Sequence, residues 1–396
     1  MGIAGYSKLI ACASMWLLCA SAGASPLIVT NLNDSGAGSL RDQMNVANAS
    51  AGEGIIEFQE GLTGTIPLES ALPIIQDDLQ ILGPGPGAIA ISGEQAYRVF
   101  EIDDGVEVTI SGLALLEGRA MASGNGELGL GGCIWNKGSL ILADAVIMDC
   151  SAEAAGGGIA NDGDLVMRRS TVRGNTASPE EFAAGGGIDN FGTARIEEST
   201  ISGNVAGDGG GIANGADAEL ILMNTTISGN SADFGGGLDN FGGALSVQFS
   251  TIVNNSADFG GGIINEGEAW IRNSLIADNP FGDDCDDQDG LSFEATGVNL
   301  DSDGSCPDFQ QSTSAQIALG SLADNGGPTE THALGATSVA LAAATDCTEL
   351  DGTPVETDQR GIPRPQGDAC DVGAFEREPG DDEPDDVIFG DRFEVR

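Results

Sequence analysis

A glycine-rich phrase, Gly-Gly-Gly-Ile-x-Asn, returns six times and limits what this chain can fold into more than any other feature. It reads GGCIWN at 131–136, GGGIAN at 156–161, GGGIDN at 185–190, GGGIAN at 209–214, GGGLDN at 235–240 and GGGIIN at 260–265. The closing asparagines are spaced by 25, 29, 24, 26 and 25 residues. A second phrase runs between them: STVRGN to Asn175, STISGN to Asn204, TTISGN to Asn230, STIVNN to Asn255 and NSLIADN to Asn279. A third is an alternating apolar pair such as Leu140/Leu142, Leu220/Leu222 or Leu245/Val247. Self-similarity at a fixed period of this size is the mark of a stacked repeat.

Each repeat holds three short segments with period-2 alternation, separated by Gly, Asn, Asp and Ser, which reads as strands joined by turns. Three short strands cannot bury their inner face alone, because ordering each residue costs roughly 1.5 kcal/mol. Stacking copies closes the core. The expected fold is therefore all-β: a right-handed, single-stranded parallel β-helix in which each strand pairs with its equivalent one rung on, roughly 4.8 Å away. Asn136, Asn161, Asn190, Asn214, Asn240 and Asn265 then occupy one corner, where side-chain amides form a structural ladder. Triple glycine suits a backbone that bends sharply or packs against its neighbour. A leucine-rich-repeat horseshoe needs an L-x-x-L-x-L framework that this sequence lacks.

In chain order, residues 1–24 read as a secretory signal peptide: Lys8, an apolar run over 9–20, then small residues with A-x-A spacing. That run is too short to span a membrane, so no span is expected after its removal. Residues 25–75 hold a cap and the first strands. Ser39 is a good helix N-cap, and Leu40, Met44 and Ala47 follow at helical spacing, so a short helix is expected to cover the open end of the coil. The β-helix repeats occupy 76–280. Composition shifts at Pro280 into a cysteine-bearing region over 281–376. Residues 377–396 form an acidic, Pro/Gly-bearing tail expected to lack fixed structure.

Acidic residues number 61 against 15 basic ones, a net charge of −46. Such a charge repels nucleic acid and anionic membranes, which are excluded as partners. It also discourages association of rod ends and edges, so a monomer is expected. Of eight cysteines, six lie beyond the signal segment, an even number for an exported chain. Spacing pairs Cys285 with Cys306 and Cys347 with Cys370. Cys133 stands at a third-glycine position and Cys150 at the Asn175-equivalent position, a further candidate pair. Zinc is disfavoured, since no C-x-x-C occurs and His332 is the sole histidine.

The repeat phrases together resemble polymorphic outer-membrane-protein β-helix repeats. The segment VTNLNDSGAGSLRDQMNVANASAGEGIIEF (29–58) looks like the CSLREA-type N-terminal segment of secreted bacterial β-helix proteins. GGPTETHAL (326–334), DQRGIPRP (358–365) and CDVGAFE (370–376) resemble the choice-of-anchor Q domain. The resemblance implies export to the cell surface or medium, a pectin-lyase-like fold, and no catalytic residue to carry over. The closing IFGDRFE (388–394) is similar to an I-F-x-D-G-F-E ending on exported bacterial proteins, with Arg392 where Gly is usual. No sorting signal, apolar helix or barrel-length segment follows Glu376, so a self-translocating autotransporter is not expected.

Asp283 and Asp284 supply an acid pair without the G-H-G and R-I-K elements of a polygalacturonase. Arg168, Arg169 and Arg173 are proton acceptors by type for a lyase, read here as outward-facing solvated arginines. Asp189 and Asp239 share a repeat position and read as outward turn polars. Asp301-x-Asp303-Gly304 resembles the start of a calcium loop without the later glutamate, which makes calcium the one candidate cofactor. Phe234 and Phe259 recur before the glycines, and Phe191 and Phe241 after the asparagine, as packing ladders or sugar-ring platforms. The functional expectation is interaction: adhesion, or contact with carbohydrate, envelope or matrix proteins, with no catalytic set. The alternative is a polysaccharide lyase or glycoside hydrolase of the pectin-lyase-like type.

Overall fold

The computed structural model describes residues 25–50, 52–122, 128–178, 183–287, 293–379 and 381. The signal segment and the IFGDRFE ending lie outside the described residues. One repeat shows how the chain is laid down. Ile188–Asn190 runs along one sheet, Thr193–Glu197 along another and Thr200–Ser202 along a third, before the glycine phrase brings the chain back to the first of these. We call these the narrow, long-strand and threonine sheets. They hold 8, 11 and 11 strands, and consecutive rungs pair in parallel throughout. The result is a parallel β-solenoid.

Period-2 alternation sends one set of side chains inward. Ile188, Ala194, Ile196 and Ile201, from the three strands of that rung, are all fully buried. Equivalent positions form one apolar core from Val29 to Cys306. Helix α1 (Leu40–Asn48) closes one end: the Ser39 hydroxyl accepts the Asp42 amide at 3.2 Å, and Leu40, Met44 and Ala47 are buried in the same core.

Inside the corners the asparagines stack. Asn136, Asn161, Asn190, Asn214, Asn240 and Asn265 lie in register, each donating Nδ2 to the next Oδ1 at 2.7–2.8 Å. A second ladder runs through Asn175, Asn204, Asn230, Asn255 and Asn279. Its last member donates to Asp284 Oδ1 at 2.8 Å, so Asp284 ends a ladder rather than forming an acid pair with Asp283. The glycines set the closeness of the rungs. Gly185 has φ +64°, and a Cβ on Gly186 would stand 2.4 Å from the Gly210 carbonyl oxygen one rung on.

Stacking does not stop at Pro280. Cys285–Asp287, Phe293–Thr296, Leu300–Asp301 and Gln310–Gln311 each extend one of the sheets. Cys285 and Phe293 keep the inward file apolar, while Leu300 continues the outer file of the threonine sheet beneath the C-terminal layer. Beyond them a short helix, α2 (Ser314–Ile317), leads into an antiparallel pair, Leu319–Ala323 with Thr331–Leu334. This layer folds back across the outer face of the threonine sheet. Gln359 bonds Thr200 and Thr226 at 2.9 and 2.6 Å, His332 Nε2 meets Ser228 Oγ at 2.9 Å, and Ala374 N donates to Thr251 Oγ1 at 3.0 Å. Disulfides join Cys133 to Cys150, Cys285 to Cys306 and Cys347 to Cys370.

Candidate functional site

With the threonine sheet covered, the narrow sheet presents the chemistry. Its strands have three residues; the outer two point inward, so the middle one faces out. In register the middle residues are Trp135, Ala160, Asp189, Ala213, Asp239 and Ile264. Two columns flank this row. One, before the glycines, is linked rung to rung by single bridges through Ala155, Ala184, Asp208, Phe234 and Phe259. The other follows the asparagine corner: Asp162, Phe191, Gly215, Phe241 and Glu266, whose amides each donate to the corner asparagine carbonyl one rung before. The glycine turn folds over its own strand, since a Cβ on Gly185 would meet the Asp189 Cα at 2.6 Å. The middle residues therefore lie in a slot.

Asp189 and Asp239 occupy that slot. They are only 2% and 8% exposed, so the reading of them as outward turn polars holds for direction and fails for solvation. They stand two strands apart with Ala213 between, and do not face each other directly. Neither carboxyl accepts a hydrogen bond from the described residues. Burial, then the charge of Asp162, pushes the Asp189 carboxyl up to about 8. Burial, then Asp208 and Glu266, pushes Asp239 up to about 7. Asp239 thus senses an acid from each flanking column. Asp208 is itself raised, by burial and then by Asp233.

The walls are aromatic. Phe234 and Phe259 stack at 5.4 Å between centroids and 10° between planes, yet remain 43% and 50% exposed. The two rings pack on each other and still leave about half of their surface open. Across the slot Phe191 and Phe241 are exposed. Phe191 lies where a Cβ on Gly215 would be 2.7 Å from its ring, so this glycine makes room for it. At one end Trp135 donates to Asp162 at 2.7 Å, beneath Arg98 and Lys137.

The other sequence candidates separate from this face. Arg168 pairs with Glu197, and Arg169 with Asp144 at 2.8 Å. Arg173 lines a cleft of about 270 Å³ with Thr171, Asp324 and Glu330, where the C-terminal layer begins. His332 is buried and held between Ser228 and the Gly320 carbonyl, its pKa lowered by burial. Both oxygens of Asp303 accept backbone amides, from Asp284 and Ser305. Asp301 accepts the Cys306 amide, and its Oδ1 is buried without a partner among the described residues. No group of three or more His, Cys, Asp or Glu there could hold a metal ion among the described residues.

No family model matches the chain, and no curated protein matches its sequence. Among solved structures it is similar to pectate lyase Pel9A, at 15% identity and a TM-score of 0.47, covering 90% of this chain and 98% of that one. It is also similar to the PL6 family alginate lyase AlyGC, at 13% identity and a TM-score of 0.28, covering 84% of this chain and 58% of that one. These likenesses are of fold and assign no residue a role.

Proposed function

We propose that the protein is an exported β-solenoid that acts by contact with carbohydrate through the slot over its narrow sheet. The observation that carries this reading is the exposed phenylalanines on both sides of Asp189 and Asp239, whose carboxyls accept no hydrogen bond from the described residues. A flat apolar ring offers a face to a pyranose, and a carboxyl without an internal partner offers hydrogen bonds to its substituents. The three disulfides suit an oxidising compartment, and no helix among the described residues is long and apolar enough to cross a membrane.

Glycan-array binding by the purified protein tests the proposal. Phe234→Ala with Phe259→Ala is expected to weaken binding at least about tenfold, or about 1.4 kcal/mol, in a variant that still melts cooperatively, because the coil core does not contain these rings. A blank array would sink the reading. The enzymatic alternative makes a different demand. A lyase must neutralise a uronate and remove a proton beside it, which calls for cationic groups at the site. Among the described residues, the floor and the two flanking columns between Asp162 and Glu266 include no Lys or Arg. Turnover of pectin, alginate or a neutral polymer by the purified protein would establish that alternative instead.

A further inference from the structure

We propose that the slot selects an amine-bearing glycan, a polymer of pyranose rings carrying protonated amino groups, a choice of ligand that rests on the glycan-contact reading above. Asp189 and Asp239 are each more than nine-tenths buried, face away from the core, and accept no hydrogen bond from the described residues. Asp162, Asp208, Asp233 and Glu266 add negative charge along both walls. Arg98 and Lys137 lie at the far end, engaged with Glu101.

A buried carboxyl without a partner is relieved by an ammonium group beside it, and the face of an aromatic ring attracts the same cation. A uronate polymer would be repelled by the wall acids, and a neutral one would gain nothing from ionising the floor carboxyls. The spacing favours a glycan over a basic peptide. One rung advances roughly 4.8 Å and two rungs roughly 9.6 Å, whereas same-side residues of an extended peptide recur every ~6.8 Å. A pyranose chain advances by about one ring per rung, so alternate rings meet Asp189 and Asp239 over Ala213. A divalent ion needs six or more oxygens, and no group of three or more candidate ligands gathers among the described residues.

Binding should then release protons. Asp189, with Asp162 facing it, and Asp239, with Asp208 and Glu266 facing it, both hold protons at about pH 6, and an incoming ammonium displaces them. The experiment is calorimetry at about pH 6 in two buffers of different ionisation enthalpy, with glucosamine tetramer, N-acetylglucosamine tetramer and tetra-lysine as probes. The glucosamine tetramer is expected to bind tightest and to release about one to two protons. Asp189→Asn and Asp239→Asn should each weaken it about tenfold or more and cut that release, while Phe234→Ala/Phe259→Ala weakens it and leaves the release intact. Melting curves check both Asn variants, and either one that folds carries the test. Equal or tighter binding of the acetylated tetramer overturns amine selection but leaves glycan contact standing. Equal binding of tetra-lysine overturns the choice of a glycan. Binding of none overturns amine selection, and the glycan array above then decides glycan contact.

Discussion

At the scale of single residues, burying an asparagine is favourable only when both ends of its amide are satisfied, because an unmet buried donor or acceptor costs about 1–3 kcal/mol. Asn204 meets that condition on four sides. Its Oδ1 accepts the Asn175 amide and side chain, both at 2.9 Å, and its Nδ2 donates to Asn230 Oδ1 at 2.9 Å and to the Val172 carbonyl at 3.1 Å. Asn204→Ala is expected to destabilise the coil by about 2–4 kcal/mol, read from the shift in a guanidinium unfolding curve at unchanged slope. Asp189 is the opposite case. Its pKa rises from 3.8 unfolded to about 8 folded, so the folded state holds the proton more tightly. The penalty on the folded state is therefore absent below about pH 4, grows as pH rises toward 8, and is complete above that. Asp189→Asn should match the parent melting temperature below pH 4 and exceed it by ~2 °C or more above pH 8. An equal difference at both ends of the range would show that the carboxyl is not desolvated in solution.

At the scale of the rung, the third glycine and the ladder asparagine behave as one unit. A Cβ on Gly158 would stand 3.2 Å from the Asn175 side chain, and one on Gly187 would stand 3.0 Å from that of Asn204. In the rung above, the same two positions hold Cys133 and Cys150, joined by a disulfide across the contact. The bridge thus replaces a Gly–Asn contact. Cys133→Ala with Cys150→Ala should cost about 3 kcal/mol, the loop-closure value for such a separation. Cys133→Gly with Cys150→Asn, which extends the ladder by one amide, should recover most of that loss in urea melts. Failure to recover it would mean that the ladder cannot propagate past Asn175. Much of this was legible in the sequence, because Asn161, Asn190 and their equivalents return every 24 to 29 residues, as stacking of like turns requires. The helix at Ser39 was legible for the same local reason, its cap and spacing. The slot was not. Asp189 and Asp239 look like surface turn residues because the glycine fold-over that buries them is a tertiary event with no local pattern. Ala160 and Ala213 mark the same position as small in two middle rungs, but Trp135 and Ile264 at its ends mask that signal. The continuation of the coil past Pro280 was hidden by acidic turns and by Asp301 at an inward position, although Cys285 and Phe293 kept the inward file apolar.

At the scale of the molecule, a solenoid gains stability by nearest-neighbour contacts, and its ends can loosen independently. Here the C-terminal layer breaks that one-dimensional rule by lying across several rungs at once. Arg364 is its main fastening. Its side chain is fully buried, and it donates to Glu376 at 3.0 Å, to the Gly373 carbonyl at 2.6 Å and to Asn224 of the coil at 3.4 Å, over the Phe249 ring. Glu376 in turn accepts the Asp371 and Gln366 amides, and Asp358 accepts the Glu376 amide. The DQRGIPRP and CDVGAFE phrases therefore form one buried polar network. Removing one partner of a buried ion pair leaves the other charged and unmatched, at a cost of about 3–5 kcal/mol. Arg364→Met should accordingly raise amide exchange throughout Leu319–Ala323 and Thr331–Leu334 and over the threonine-sheet strands Thr200–Ser202 and Thr226–Ser228. Strands far from the layer, Leu79–Leu82 and Glu107–Ser111, should keep their protection, since no contact of the layer reaches them except through intervening rungs. Uniform loss of protection along the coil would instead show that rungs and layer unfold as a single unit, with the layer acting as a clamp on the whole rod.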